Sequence, residues 1–110
     1  MEITERKENN VIVVSVAGRL DAVTATGFEK HMSTLISGGE KKVVVDLGSL
    51  EYISSAGLRG ILSTAKKLKA ESGAMYFAGL RGPVAEVFKI SGFYSIFKIA
   101  DSVETAIKQI

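Results

Sequence analysis

The sequence predicts an α/β fold: a single domain, residues 1–110, built on a mixed, mainly parallel β-sheet with about four helices. Three observations lead there. β-branched runs of strand length recur, above all Val11-Ile12-Val13-Val14-Ser15-Val16-Ala17 and Val43-Val44-Val45. Between them lie longer segments whose apolar residues return at helical spacing. The two kinds of segment alternate, as strands joined by crossover helices do. A chain of 110 residues has room for one core.

Taken in order, Ile3 to Lys7 reads as a short first strand and Glu8-Asn9-Asn10 as a turn. Val11 to Ala17 is the second strand, ended by Gly18. The proximity of these two suggests a hairpin, hence a mixed sheet. A helix follows with Val23, Phe28, Met32, Leu35 and Ile36 on one face, Asp21 or Thr24 as its cap, and Gly38-Gly39 as its stop. Val43 to Leu47 is the central strand, and a helix from about Ser55 to Ala70 carries Leu58, Ile61, Leu62, Ala65 and Leu68 inward. Met75 to Ala78 is the next strand. Pro83 suits the first position of a helix bearing Val84, Val87, Phe88 and Ile90, which Ser91-Gly92 ends. Ile96 to Ile99 reads as the last strand. Asp101 with Glu104 forms a capping-box pattern for a final helix with Val103, Ala106, Ile107 and Ile110 inward. There is no internal repeat, linker or low-complexity segment.

Composition narrows the function by exclusion. Apolar residues make up 46% and charged residues 24%, the mix of an ordinary globular protein. With no cysteine there is no disulfide or thiolate metal site, and a single histidine makes no metal cluster. No metal and no cofactor are expected. A formal charge of +2 without a basic stripe interleaved with aromatics gives no reason to expect a nucleic-acid partner. No apolar run approaches the roughly 20 residues of a membrane helix. Residues Met1 to Lys7 lack the apolar core of a signal peptide, so a cytoplasmic protein with no membrane partner is the default expectation. There is no Gly-x-Ser-x-Gly, no kinase signature and no paired His and Cys, so no catalytic residues and no enzyme are expected. Gly79-Leu80-Arg81-Gly82-Pro83 lacks the Gly-Lys-Ser/Thr ending of a phosphate loop, which weakens a nucleotide-binding reading.

The informative stretch is Asp46 to Leu58, where a strand gives way to a helix. Ser54 and Ser55 fall at the helix start, where a serine can cap the helix or sit beside an anion favoured by free N–H groups and the helix dipole. Gly57 and Gly60 follow, each costing roughly 1 kcal/mol against alanine in a helix interior. That cost suggests a place where something approaches closely. Arg59 lies one turn after Ser55, while Lys66, Lys67 and Lys69 read as a solvated face. Tyr52 and Ile53 could be core or partner surface, with core the better reading for Ile53. His31 reads as a surface or half-buried structural residue.

This stretch resembles the core motif of the STAS domains, and most closely that of the bacterial anti-sigma-factor antagonists. The family pattern is Asp-Leu ending a strand, a hydrophobic loop, then Asp-Ser-Ser/Thr-Gly-Leu opening a helix. Here Asp46-Leu47, Ser55 and Gly57-Leu58 match; Ser54 stands in place of the aspartate and Ala56 in place of the second hydroxyl residue. Gly18-Arg19-Leu20-Asp21 is similar to the Gly-x-Leu-Asp that precedes the family's first helix. Pro83 with Val87-Phe88 and Ser91-Gly92 is similar to its third helix and Ser-Gly end.

The resemblance implies a function. Ser55 would be the phosphorylation site, with Ser54 a second candidate hydroxyl and otherwise the cap. Asp21, Ser54, Ser55, Ala56, Gly57, Leu58 and Arg59 would form the partner-binding surface. Unmodified, the domain would bind an anti-sigma factor that is also a serine kinase, freeing a sigma factor. The kinase, holding its own ATP and Mg²⁺, would phosphorylate the serine and release the domain, and a serine phosphatase would reset it. The alternative is a STAS domain used without phosphorylation, as a structural subunit of a signalling or transporter-associated complex.

Overall fold

A computed structural model describes residues 1–110. Its strands are β1 (Glu2–Glu8), β2 (Val11–Leu20), β3 (Lys42–Asp46), β4 (Leu50–Ile53), β5 (Ala74–Ala78) and β6 (Lys98–Ala100). Its helices are α1 (Ala25–Ser37), α2 (Ser55–Ala70), α3 (Gly82–Ile90), α4 (Phe93–Ile96) and α5 (Val103–Gln109). The sheet runs in the order β1-β2-β3-β5-β6, and β4 pairs separately with β2. Only the β1–β2 hairpin is antiparallel; every other pairing is parallel. The expected mixed, mainly parallel sheet is therefore present.

The valine runs form strands because both faces of the sheet are covered. Ile12, Val14, Val16, Val43 and Val45 face the larger core with Phe28, Met32, Ile61, Leu68 and Phe88, drawn from α1, α2 and α3. Val11, Val13 and Val44 face a smaller core beneath α5, which contributes Ala106. Phe77 on β5 and Phe88, Phe93 and Phe97 make a chain of edge-to-face contacts with centroids 5.0 to 5.5 Å apart. These contacts hold α3 and α4 against the sheet.

Several expectations need correction. The loop between the central strand and Ser54 contains a strand, β4, whose partner is the far end of β2. Accordingly β2 does not stop at Gly18. It shifts register between Gly18 and Arg19, with Gly18 at φ +92°, and runs on to Leu20. A fifth helix, α4, covers residues that include Ile96, so the last strand begins at Lys98 and Ile96 is exposed. Ser102, not Asp101, caps α5: its Oγ accepts from the Thr105 N–H at 3.1 Å. Helix α3 starts one residue before Pro83, at Gly82, and Ile90 at its end is 84% exposed rather than inward. Helix α1 starts at Ala25, which leaves Val23 outside it and 86% exposed rather than inward, while Phe28, Met32 and Ile36 are buried as expected.

Candidate functional site

Strands β2 and β4 end side by side, with Leu20 opposite Ile53, and the Ser54 N–H donates to the Leu20 carbonyl at 3.0 Å. The turns leaving the two strands therefore emerge together, at the carboxyl ends of parallel strands, where α/β sheets present their binding loops. One turn is Asp21 to Thr24; the other opens α2 at Ser54.

The first turn is closed by its own side chains. Asp21 Oδ1 accepts from the N–H groups of Val23 (3.0 Å) and Thr24 (3.1 Å). The Thr24 hydroxyl accepts from the Asp21 N–H at 2.9 Å and donates to the Arg19 carbonyl at 2.8 Å. Thr24 is the N-cap position of α1 but makes no side-chain cap bond. Asp21 thus shapes the turn that feeds α1. The N–H of Thr24 above all, helped by the Val23 N–H, the Thr24 hydroxyl and the charge of Arg19, outweighs the opposing desolvation and holds the Asp21 carboxyl below its ordinary value. Arg19 Nε lies 3.7 Å from Asp21 Oδ2, and its guanidinium sits 4.1 Å from the centre of the Tyr52 ring on β4. One arginine therefore ties the two strand ends across the surface.

The second turn divides the two serines by role. Ser54 is extended (φ −100°, ψ 174°), and its Oγ accepts from the Gly57 N–H at 3.2 Å, the geometry of an N-cap. Ser55 is the first helical residue and is exposed, and its hydroxyl makes no hydrogen bond. The N–H groups of Ser55 and Ala56 have no acceptor within the helix. Ala56 and Leu58 are half-buried, and Leu58 packs against the main core. Arg59 is exposed.

Gly57 is internal. A Cβ there would stand 2.6 Å from the Leu20 carbonyl oxygen and 2.9 Å from an Ile53 side-chain carbon. The close approach that its glycine signals is between α2 and the end of β2. A Cβ added at Gly60 would meet the side chain of Glu29 on α1 at ordinary contact distance, 3.5 Å. Of the expected surface residues, Asp21, Ser54, Ser55, Ala56, Leu58 and Arg59 thus gather around the two turns, while Gly57 underlies them.

Two further residues lie at the same end of the molecule. Val23 projects from the Asp21 turn, and Tyr52 is 40% exposed beneath Arg19, whereas Ile53 is buried. The signal for Val23 was Asp21 with a hydroxyl residue three positions on, which reads as a side-chain-closed turn ahead of the helix. Elsewhere, the Gly79 loop is fastened to the β3–β4 connection: Arg81 Nε donates to the Gly48 carbonyl at 2.8 Å, and Asp46 Oδ1 accepts from the Gly48 N–H at 2.9 Å. His31 pairs with Glu5 at 2.8 Å, linking α1 to β1. No group of three or more His, Asp or Glu side chains comes together as a metal site. No helix is long and apolar enough to cross a membrane.

Comparison with known proteins agrees with this fold. The profile of the STAS domain matches residues 2–106. The chain is 41% identical over 106 residues to BtrV of Bordetella bronchiseptica, which carries the provisional name anti-sigma factor antagonist; the match spans 96% of this chain and 91% of BtrV. Among solved structures, an anti-sigma factor antagonist from Mycobacterium paratuberculosis superposes with a TM-score of 0.89 at 26% identity, over 99% of this chain and 92% of that one. The Bacillus cell-fate determinant SpoIIAA shares the fold in both its unphosphorylated form (TM-score 0.75, 18% identity, 98% of this chain and 96% of that one) and its phosphorylated form (0.74, 21%, 98% of each). On the profile match and the BtrV identity together, the chain belongs to the STAS-domain family.

Proposed function

We propose that the domain is an anti-sigma factor antagonist, a cytoplasmic binding module whose docking is switched by phosphorylation of Ser55. The observation that carries this is the division of labour between the serines: Ser54 is committed to the Gly57 N–H, and Ser55 stands exposed and unbonded at the first position of α2. The relatives named as antagonists, and SpoIIAA with its phosphorylated form, support the same reading.

Unmodified, the domain binds an anti-sigma factor through the Asp21 turn and the start of α2. The bound sigma factor is thereby freed to direct transcription. The anti-sigma factor is also the kinase and holds the ATP and Mg²⁺. The Ser55 oxygen attacks the γ-phosphorus, an O–P bond forms, the bond to the β-phosphate oxygen breaks, and ADP leaves. The hydroxyl proton passes to a base of the kinase. A serine phosphatase hydrolyses the ester and resets the domain.

The switch acts on the interface and leaves the fold in place. A phosphate adds about −1.5 to −2 charges. At a helix N-terminus the dipole stabilises such charge by roughly 0.3–1 kcal/mol. Inside a docked surface the same charge must be desolvated or meet like charge, at a cost of several kcal/mol, and about 1.4 kcal/mol is tenfold in affinity.

The test is intact-mass spectrometry after incubation with ATP and a lysate of the source organism, on wild type, Ser54→Ala and Ser55→Ala. One phosphoryl group that disappears only in Ser55→Ala is the expected result. Loss only in Ser54→Ala moves the acceptor to Ser54. No addition to wild type, in a lysate that phosphorylates a known antagonist, overturns the switch in favour of an unphosphorylated structural subunit.

A further inference from the structure

The helix that opens at Ser55 is electrostatically one-sided. Its 16 residues include Arg59, Lys66, Lys67 and Lys69 and no Asp or Glu. Lys67 and Lys69 occupy the last turn, where the helix dipole favours cations. Arg59 lies near the opposite end, where the dipole disfavours one. It is exposed and takes part in no ion pair or side-chain hydrogen bond. The carboxylates on the neighbouring elements are placed elsewhere: Asp21 faces Arg19, and Glu29 lies along Gly60 without pairing to Arg59. What Arg59 does have is Ser55 four residues earlier. That spacing puts the two on one face, with Cβ atoms about 5–6 Å apart.

We propose that Arg59 reads the phosphorylation state of Ser55. This rests on Ser55 being the acceptor. In the unmodified domain the guanidinium is free to take a carboxylate of the docked partner. Once Ser55 is phosphorylated, it closes on the phosphate oxygens within its own helix and is withdrawn from the partner. The planar fork of an arginine matches two phosphate oxygens. The order, anion four residues before cation, is the favourable one along a helix. Beyond Arg59, the residues Leu62, Ser63, Lys66 and Lys67 line with it a shallow hollow of about 450 Å³. Its walls suit an acidic segment. Phosphorylation therefore changes the surface twice: it adds an anion and removes the nearest cation.

The test uses the full chain with phosphoserine installed at position 55 and follows the phosphate by ³¹P NMR from pH 4 to 8. The wild-type midpoint is expected below that of Arg59→Gln by roughly 0.15–0.4 pH unit, the size of an exposed helix pair. Arg59→Lys should fall between them, and about 0.5 M salt should narrow the gap. Equal midpoints in wild type and Arg59→Gln overturn the intrahelical pair. In parallel, unmodified Arg59→Gln should bind the anti-sigma factor several-fold more weakly, with unchanged thermal melting; unchanged affinity overturns the partner contact. The titration needs no partner. A domain that shows the pair yet binds no anti-sigma factor refutes the docking function alone. One that lacks the pair yet is released by phosphorylation refutes the pair alone.

Discussion

The carbonyl of Leu20 accepts from the Ser54 N–H at 3.0 Å and lies 2.6 Å from where a Cβ on Gly57 would stand. One backbone oxygen therefore fixes the serine turn and sets the size of the residue beneath it. Gly57→Ala must push α2 away from β2, since backbone cannot rotate aside as a side chain can. The expected cost is about 1–3 kcal/mol of stability, the usual penalty of overpacking. Gly60→Ala is the contrast. Its new methyl would meet only the flexible Glu29 side chain at 3.5 Å, and the gain in helix propensity is up to about 1 kcal/mol. Urea unfolding of the two variants should therefore move in opposite directions, or leave Gly60→Ala unchanged.

Ser54 and Ser55 should separate in stability as well as in modification. Ser54→Ala removes the acceptor of the Gly57 N–H and is expected to cost roughly 1 kcal/mol, while Ser54→Asp keeps the cap and most of the stability. Ser55→Ala removes a hydroxyl that bonds to nothing and should lie within about 0.5 kcal/mol of wild type. Thermal melting of the three variants checks the ranking.

Asp21 gives the domain a measurable acid dependence. Its folded carboxyl is held below the ordinary value of 3.8, chiefly by the Thr24 N–H. The anion is thus favoured by folding, and its contribution is fully present above that ordinary value. It disappears as pH falls through the lower, folded value. The stability difference between wild type and Asp21→Ala should be constant from pH 7 to about 5 and shrink below about 4. Urea midpoints at pH 7, 5, 4 and 3 read this directly; a gap that widens in acid would contradict it.

The aromatic chain should act as a unit. Phe88 is fully buried, with Phe77 and Phe93 at 5.5 and 5.2 Å. Phe88→Ala is expected to cost about 3–5 kcal/mol. Phe93→Ala should cost somewhat less and speed amide exchange in α4 before the rest of the sheet.

The parts legible in sequence were those with a period. The valine runs, the Ser55–Ala70 helix and the Phe28-Met32-Ile36 face could be read because each repeats its burial over several turns or pleats. Strand β4 has no such repeat: Leu50 and Ile53 are buried and the two residues between them exposed. It is a strand because the far end of β2 offers it a partner, and pairing with a strand more than thirty residues away leaves no local mark. Helix α4 is a single turn held by Phe93, too short for periodicity to register. The candidate site divides the same way. Ser54, Ser55, Gly57 and Asp21 follow from helix-start and turn chemistry, which is local. The stacking of Arg19 on Tyr52 depends on β4 lying beside β2, so it appears only once the strands are assembled.

Every residue of β2 has a strand partner: β1 along Val11–Ala17, β3 along Val11–Ser15 and β4 along Gly18–Leu20. The serine turn hangs from its last residue, so it is anchored to the most thoroughly bonded strand in the molecule. A mark placed there has no hinge to move. The free and marked domains should superimpose, with slow hydrogen exchange at Leu20 and Ile53 in both. Such a domain would transmit its state as a change of potential over a fixed relief, and a partner could tell the two forms apart in a single encounter without waiting for either to rearrange.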